Sequence, residues 1–301
     1  MGGPVSLAAQ AGGATHVLIV TGLSGEPRFA TTFHSAASTL YDAAKARWGV
    51  ADSNLVYLAE DPALDPRIRG RATRENLAAA FASVARRSAA GDVVLVVLIG
   101  HGSGEGGNSR LSLPGPDPSA ADFASWLKPL AGRTTVLVNA SSGSGDFLAA
   151  LADSGRIVIT ATKSAFERNE TIFAGIFARG LGSGEADADK DGRVSVLEAF
   201  QYAKREVARG YESRSLLLTE HAQLSDSGLA RRVAFGTQAA PTDPRIAALY
   251  AERRALEAQV DALRRKKGTL DSLVYQRELE RLLLELAGKT AAIRAVEARK
   301  P

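Results

Sequence analysis

The chain has 301 residues, of which 45% are hydrophobic and 23% charged, the composition of a globular protein with room for one large or two ordinary domains. The net charge is only +4, and residues 242–301 carry 13 Lys/Arg against 9 Asp/Glu, so no polyanion-binding field covers the rest and nucleic acid is not an expected partner. The absence of cysteine excludes disulfides, thiolate metal sites and thiol catalysis, and the longest apolar run, residues 93–99, is far short of the ~20 residues that cross a bilayer.

Residues 1–14, MGGPVSLAAQAGGA, are small and glycine-rich without a charged leader. AAQA resembles the last residues of a signal peptide whose hydrophobic part is missing; a disordered expression tail is the other reading.

Residues 15–240 then alternate strand and helix. His16–Thr21 reads as a strand ending at Gly22, Phe33–Trp48 has helical spacing, and Asn54–Leu58 is a second strand. Thr73 is placed to cap a helix running to about Ala89, with Glu75 in its first turn. Asp92–Ile99 is apolar on both faces, which predicts a central strand covered on both sides. A helix over Ala120–Leu130, a strand from Thr134, a short helix over Asp146–Ala152 and a strand over Arg156–Thr160 continue the rhythm. The pattern predicts an α/β fold, a doubly wound and mostly parallel sheet. Helical patterns over Glu170–Leu181 and Val194–Gly210 follow; 216–238 reads as irregular, with Arg231–Phe235 as a late edge strand.

The composition changes after residue 240. Asp243 is placed to cap a helix with Pro244 at its first position. Ile246, Leu249, Leu256, Val260 and Leu263 repeat at three- and four-residue steps, with Arg253 as the polar exception. Lys266-Lys267-Gly268-Thr269 breaks the helix. Tyr275, Leu279, Leu282, Leu286, Ile293 and Val296 resume the stripe, interrupted by Lys289. Residues 241–301 therefore read as an antiparallel helical hairpin with a coiled-coil seam, suited to self-association or to docking a partner.

Residues 187–198, DADKDGRVSVLE, carry carboxylates at loop positions 1, 3, 5 and 12, glycine at position 6 and an apolar residue at position 8. That is the EF-hand spacing, and it wraps six to eight hard oxygens around calcium. Asp187, Asp189 and Asp191 would supply side-chain oxygens, Arg193 its carbonyl, Ser195 a direct or water-mediated contact, and Glu198 both carboxylate oxygens. One such loop without a Met-rich groove predicts a structural calcium site.

Two strand ends carry the remaining chemistry. In an open parallel sheet, ligands collect outside the carboxyl ends of the strands. The third strand ends in Gly100-His101-Gly102 and the fourth in Asn139-Ala140-Ser141-Ser142-Gly143. As neighbours they would bring His101 and Ser141 to one sheet edge, with Gly102 and Gly143 as turn or oxyanion amides. These stretches, VVLVVLIGHG and TTVLVNAS, resemble the caspase and legumain clan of cysteine peptidases, closest to its legumain-like side, over roughly Ala14–Thr219. The resemblance implies a caspase-like fold, a peptide or protein ligand, and a pocket at ITATKSAFERNETIF with Lys163, Ser164 and Arg168 as its residues. It also implies export, to the periplasm or outside the cell, with a cytoplasmic location as the alternative.

The departure is at the nucleophile. The clan's cysteine position is Ser141 here, with Ser142 as the alternative. A hydroxyl is far less acidic than a thiol and needs a well-oriented base. Neither Asp146 nor Glu105 can be assigned behind His101 from sequence. The expectation is a pseudopeptidase; the alternative is an active hydrolase using Ser141 with His101 as base. The competing chemistries are poorly represented. Thr21-Gly22-Leu23-Ser24-Gly25 lacks the three-glycine dinucleotide spacing, and the four histidines, His16, His34, His101 and His221, are not at zinc-ligand spacing. His34 and the Glu220-His221 pair read as ordinary structural polarity.

Overall fold

The computed structural model describes residues 13–104, 108–236, 244–265, 267 and 270–297. Glu105, Asp243, Lys266, Gly268, Thr269 and the tail through residue 12 lie outside the described residues. The chain divides into two compact units, one of Met1–Ala188 with Arg193–Thr237, the other of Asp189–Gly192 with Gln238–Pro301.

The elements of the first unit are β1 (Thr15–Thr21), α1 (Pro27–Ala46), β2 (Leu55–Ala59), β3 (Gly70–Arg71), α2 (Arg74–Arg87), β4 (Val93–Ile99), β5 (Gly102–Ser103) and β6 (Arg110–Leu111). They continue as α3 (Ala120–Leu127), β7 (Thr134–Asn139), α4 (Asp146–Leu151), β8 (Arg156–Thr160), α5 (Phe173–Ser183), β9 (Val194–Ser195), α6 (Val196–Glu212), β10 (Gln223–Leu224), α7 (Ser227–Arg232) and β11 (Ala234–Phe235). The central sheet has seven strands in the order β10-β8-β7-β4-β1-β2-β3, parallel except for β10.

Alternation along buried strands builds two layers. Val17 and Ile19 of β1 pack with Phe33 and Leu40 of α1, Phe177 of α5 and Ala203 of α6. Leu18 and Val20 face the other way, among Leu77 and Phe81 of α2, Phe123 of α3 and Phe147 of α4. A sheet with helices on both faces needs strands apolar on both faces, and Val94–Ile99 is buried throughout. The sheet is thus doubly wound, as its apolar runs predict.

Several boundaries differ from the sequence reading: α5 starts at Phe173 rather than Glu170, and Val194–Ser195 is a strand ahead of α6. Helix α1 begins at Pro27 rather than near Phe33, because Pro27 presets the first helical turn ahead of the apolar stripe. The stretch after residue 216 holds a strand of the main sheet, β10, which pairs antiparallel with β8. The expected edge strand at Arg231–Phe235 is instead the end of α7 followed by β11, which pairs with β9. Asp226 starts α7 by accepting the Leu229 amide, 2.8 Å away.

In the second unit, α8 (Pro244–Arg265) and α9 (Ser272–Glu297) pack antiparallel. Leu256, Val260, Leu263 and Leu282 form the seam with Tyr275, Leu279 and Leu286; Tyr250 and Ile293 form a second cluster with Leu249 and Val296. The polar interruptions are paired: Lys289 with Glu252, and buried Arg253 with Asp189 and Glu257.

Candidate functional site

Strands β4 and β7 are adjacent and in register, Leu98 beside Asn139. The segments leaving them, Gly100-His101-Gly102 and Ala140-Ser141-Ser142, therefore emerge side by side from the carboxyl edge of the sheet. The β1 loop emerges next to them, and β1 with β4 is where the winding of the sheet reverses direction.

His101 is held on three sides. Its ring meets Phe29 and Phe33 of α1 edge-on, at centroid distances of 4.6 and 5.2 Å. Its Nε2 lies 3.2 Å from the Ser24 carbonyl oxygen. A carbonyl only accepts, so this bond places the neutral ring's proton on Nε2 and its lone pair on Nδ1. The group behind His101 is thus a backbone carbonyl from the β1 loop, and no carboxylate is needed to orient the ring.

Ser141 is fully buried. Its hydroxyl donates to Asn139 Oδ1 at 2.7 Å, and its amide donates to the same oxygen at 3.1 Å. The Ser142 hydroxyl accepts from the Gly102 amide at 3.1 Å and lies 3.4 Å from the Gly102 carbonyl. A Cβ on Gly102 would sit 2.3 Å from the Ser142 carbonyl oxygen and 2.9 Å from Ser141 Oγ, so only glycine allows this approach.

These contacts correct the expectation for the turn amides. The Gly102 N–H is used by Ser142, and the Gly143 N–H donates to the Glu167 carbonyl at 2.8 Å. The Gly145 amide, at the start of α4, donates to Thr162 Oγ1 at 3.1 Å. None of the three points at an open position for a developing oxyanion, because a neighbouring oxygen already fills each one.

The expected pocket residues lie on the loop after β8, which is fastened to the turn after β7. A Cβ on Gly145 would fall 2.1 Å from the Ser164 nitrogen, so the two backbones are in direct contact. Ser164 Oγ accepts the Phe166 amide at 3.3 Å, and Arg168 donates to the Gly104 carbonyl at 2.7 Å. Lys163 gives its amide to Glu167 Oε2 at 2.9 Å, with its ammonium 3.6 Å from Oε1. Lys163, Ser164 and Arg168 therefore shape the loop through contacts of their own, while Phe166 is 71% exposed on it.

Glu167 is the hub that sequence reading missed. His221 Nδ1 lies 2.5 Å from its Oε1, and the His221 amide donates to Oε2 at 3.2 Å. Burial raises its carboxyl, but the Lys163 amide and His221 outweigh that and hold it below the ordinary value. Next to it, buried Glu220 accepts the Ile172 and Phe173 amides at 3.0 and 3.3 Å, at the start of α5. Burial pushes the Glu220 carboxyl up to about 7. A Glu-His dipeptide facing an ERNE stretch was the available signal, but it names no partner. His34 and His16 are elsewhere, His34 with Asp65 at 3.3 Å and buried His16 with Asp92 at 3.0 Å. Asp146 has a buried Oδ2 without a hydrogen-bond partner, and its link to His101 is not made.

The loop at 187–198 brings carboxylate oxygens of Asp187, Asp189 and Asp191 within 4.8 Å of one another. Gly192 turns it at φ +83°, and Lys190 is also left-handed at +57°. Val194, at the apolar position, is buried, and its strand pairs with β11. Glu198 and Ser195 form a reciprocal cap at the start of α6: Oε2 accepts the Ser195 amide and hydroxyl at 2.9 and 2.8 Å, and Ser195 Oγ accepts the Glu198 amide at 3.2 Å. Glu198 Oε1 accepts the Ala188 amide at 3.1 Å. Three hard oxygen donors around one point fit a divalent cation; Glu198 and Ser195, expected as further ligands, are occupied in helix capping. The Arg193 guanidinium donates to the Ala234 carbonyl across the β9–β11 pair.

Compared with known families and with curated proteins, the chain matches no family model and no curated protein.

Proposed function

We propose that the protein is a non-hydrolytic, legumain- or caspase-like pseudopeptidase that binds a peptide or protein at the β4–β7 strand ends and calcium at residues 187–198. The observation that carries the first part is the destination of the Ser141 proton. It goes to Asn139 Oδ1, a carboxamide that is not a base, while the Gly102 amide is held by Ser142. A serine hydroxyl with no base on its proton is a poor nucleophile near neutral pH. The loop at 163–168, with Phe166 exposed, supports a peptide-binding surface beside it.

The second reading, an active hydrolase with His101 as base for Ser141, draws on the His101 tautomer. With Nε2 given to Ser24, Nδ1 is the nitrogen that accepts. For that chemistry Ser141 has to turn from Asn139 and offer its proton to Nδ1.

A serine-reactive fluorophosphonate separates the two. The pseudopeptidase reading expects no labelling of Ser141 and no cleavage of peptides after Asn, Asp, Arg or Lys. Labelling that disappears in His101→Ala establishes the hydrolase instead. Ser141→Cys tests whether the rest of the site still supports peptide cleavage.

At the loop, Asp187, Asp189 and Asp191 would hold the calcium ion and Arg193 would offer its carbonyl. The ion would add counter-charge to the three carboxylates, beside the Arg253 guanidinium already paired with Asp189. The family resemblance and the calcium loop together favour an exported protein. The long helical pair in the second unit suits self-association or a docking partner. No helix among the described residues is long and apolar enough to cross a membrane.

A further inference from the structure

A cavity of about 450 Å³ opens at the carboxyl ends of β1 and β2, a size typical of small-ligand pockets, which run from about 300 to 1,000 Å³. Its lining includes Ala30 and Phe33 of α1 and Ala59 of β2, with Glu26, Glu60 and Asp61; no Lys or Arg lines it, and the imidazole of His34, which does, is paired with Asp65 at 3.3 Å. Apolar walls with carboxylates beside them match a ligand that is an aliphatic chain ending in a positive charge.

Glu60 is the best positioned of the three. Its Oε2 accepts both the amide and the hydroxyl of Ser24, at 2.9 and 2.7 Å, which fixes the carboxylate at the cavity wall. Glu26 is partly neutralised by Arg28 at 2.9 Å, and Asp61 caps the turn at Ala63. The three carboxylates do not converge as a metal site does: among the described residues, Asp187, Asp189 and Asp191 are the one such group. An extended organic cation is therefore favoured over a metal ion.

The cavity is also joined to His101. Ser24 gives its amide and hydroxyl to Glu60 and its carbonyl to His101 Nε2, and Phe33 both lines the cavity and packs on the His101 ring. We infer that this cavity binds the guanidinium or ammonium end of an alkyl chain, with Glu60 as its principal counter-charge and Asp61 as the second. The inference stands on the cavity's own lining and holds whether or not the Ser141 region binds peptides.

The test is calorimetric titration of the full chain with agmatine, with Nα-acetyl-arginine methylamide, and with the citrulline counterpart of the latter, which keeps the shape and loses the charge. Binding of a cation with Kd below about 1 mM, at least about tenfold weaker for citrulline, is the expected result. Preference for the acylated arginine identifies a peptide-borne side chain; equal or tighter binding of agmatine identifies a free amine. Glu60→Gln keeps an oxygen for Ser24 and should weaken cation binding about tenfold or more, with a smaller loss in Asp61→Asn. An unchanged melting temperature shows that the fold is retained. Equal binding of citrulline, no binding of any cation at about 10 mM, or affinity indifferent to both substitutions overturns the inference. Agmatine has no acyl group for Ser141, so this outcome is independent of the fluorophosphonate result.

Discussion

At the ends of β4 and β7, most donors and acceptors answer one another; in the loop at 187–198, three carboxylates are drawn together, one of them paired with Arg253. Ser141 answers Asn139, Ser142 answers Gly102, and Gly143 answers Glu167. Asp187, Asp189 and Asp191 place oxygens within 4.8 Å of one another, with Arg253 already paired to Asp189, and a divalent cation would add to that neutralisation. The first arrangement is largely satisfied as folded, with only Asn139 Nδ2 and Asp146 Oδ2 buried there without a hydrogen-bond partner among the described residues. The second gains from a ligand. Perturbing the strand ends should therefore affect stability without any additive, whereas the loop should answer to divalent ions.

The sharpest contrast comes from glycines in the two regions. Gly145→Ala puts a methyl 2.1 Å from the Ser164 nitrogen, and backbone on both sides has to move. A loss upward of about 3 kcal/mol in chemical denaturation is expected, at the severe end of overpacking. Gly192→Ala meets a different penalty, a left-handed backbone at φ +83°, worth about 1 kcal/mol. Equal losses at the two positions would break the distinction between a jammed contact and a strained turn.

That distinction also marks what the sequence could tell. The sheet was legible because Val93–Ile99 and its neighbours are apolar on both faces, and the hairpin because Leu256, Val260, Leu263 and Leu282 keep helical spacing. The sequence brings the His101 and Ser141 segments together only on the condition that their strands are neighbours, and the pairing of β4 with β7 meets it. What did not follow was where each polar atom points. Asn139 taking the Ser141 proton, Ser24 orienting His101 and Glu167 gathering Lys163 and His221 all join residues distant in sequence or set by side-chain rotamer, and periodicity carries no such information. Strand β10 was hidden for a related reason: two residues at a sheet edge are too few to show alternation.

The next effect tests the support of the strand-end region. Glu220 is buried at the start of α5, beside the His221–Glu167 contact, and its carboxyl is pushed up to about 7 by burial. Its folded value lies above the ordinary 4.5, so the folded state holds a proton that the unfolded state has released between those values. Stability from this group is full below about pH 4.5 and is lost as pH rises through about 7, on the order of 3 kcal/mol. Glu220→Gln should flatten that stretch of the stability–pH curve, read by urea midpoints from pH 5 to 8. An unchanged slope would show that Glu220 does not titrate there.

Calcium should act on the loop at a comparable or slightly smaller scale. Binding to the folded state alone adds about 2.7 kcal/mol at a concentration 100 times Kd. The melting temperature should rise with calcium, and Asp187→Asn or Asp191→Asn should abolish the rise. Gly145→Ala, if enough folded protein survives, should keep it, because that contact lies outside the loop. Calorimetry showing no calcium binding at millimolar concentration would remove the site.

The last effect is expected at Ser142→Ala, and it bears directly on how complete the strand ends are. The substitution removes the acceptor of the Gly102 amide and little volume. Ser142 is 3% exposed, so the freed N–H is costly unless water reaches it. An unsatisfied buried amide costs about 1–3 kcal/mol, and a water that replaces the hydroxyl brings this below about 1 kcal/mol. Amide hydrogen exchange at Gly102 distinguishes the two: slow exchange with the larger loss means that the turn stays sealed, fast exchange with the smaller loss means that solvent enters. Entry of solvent would also leave an amide beside Ser141 free to meet a ligand oxygen, so a peptide that binds Ser142→Ala more tightly than the parent chain would identify the Ser142 hydroxyl as the group that fills this position in the unliganded fold.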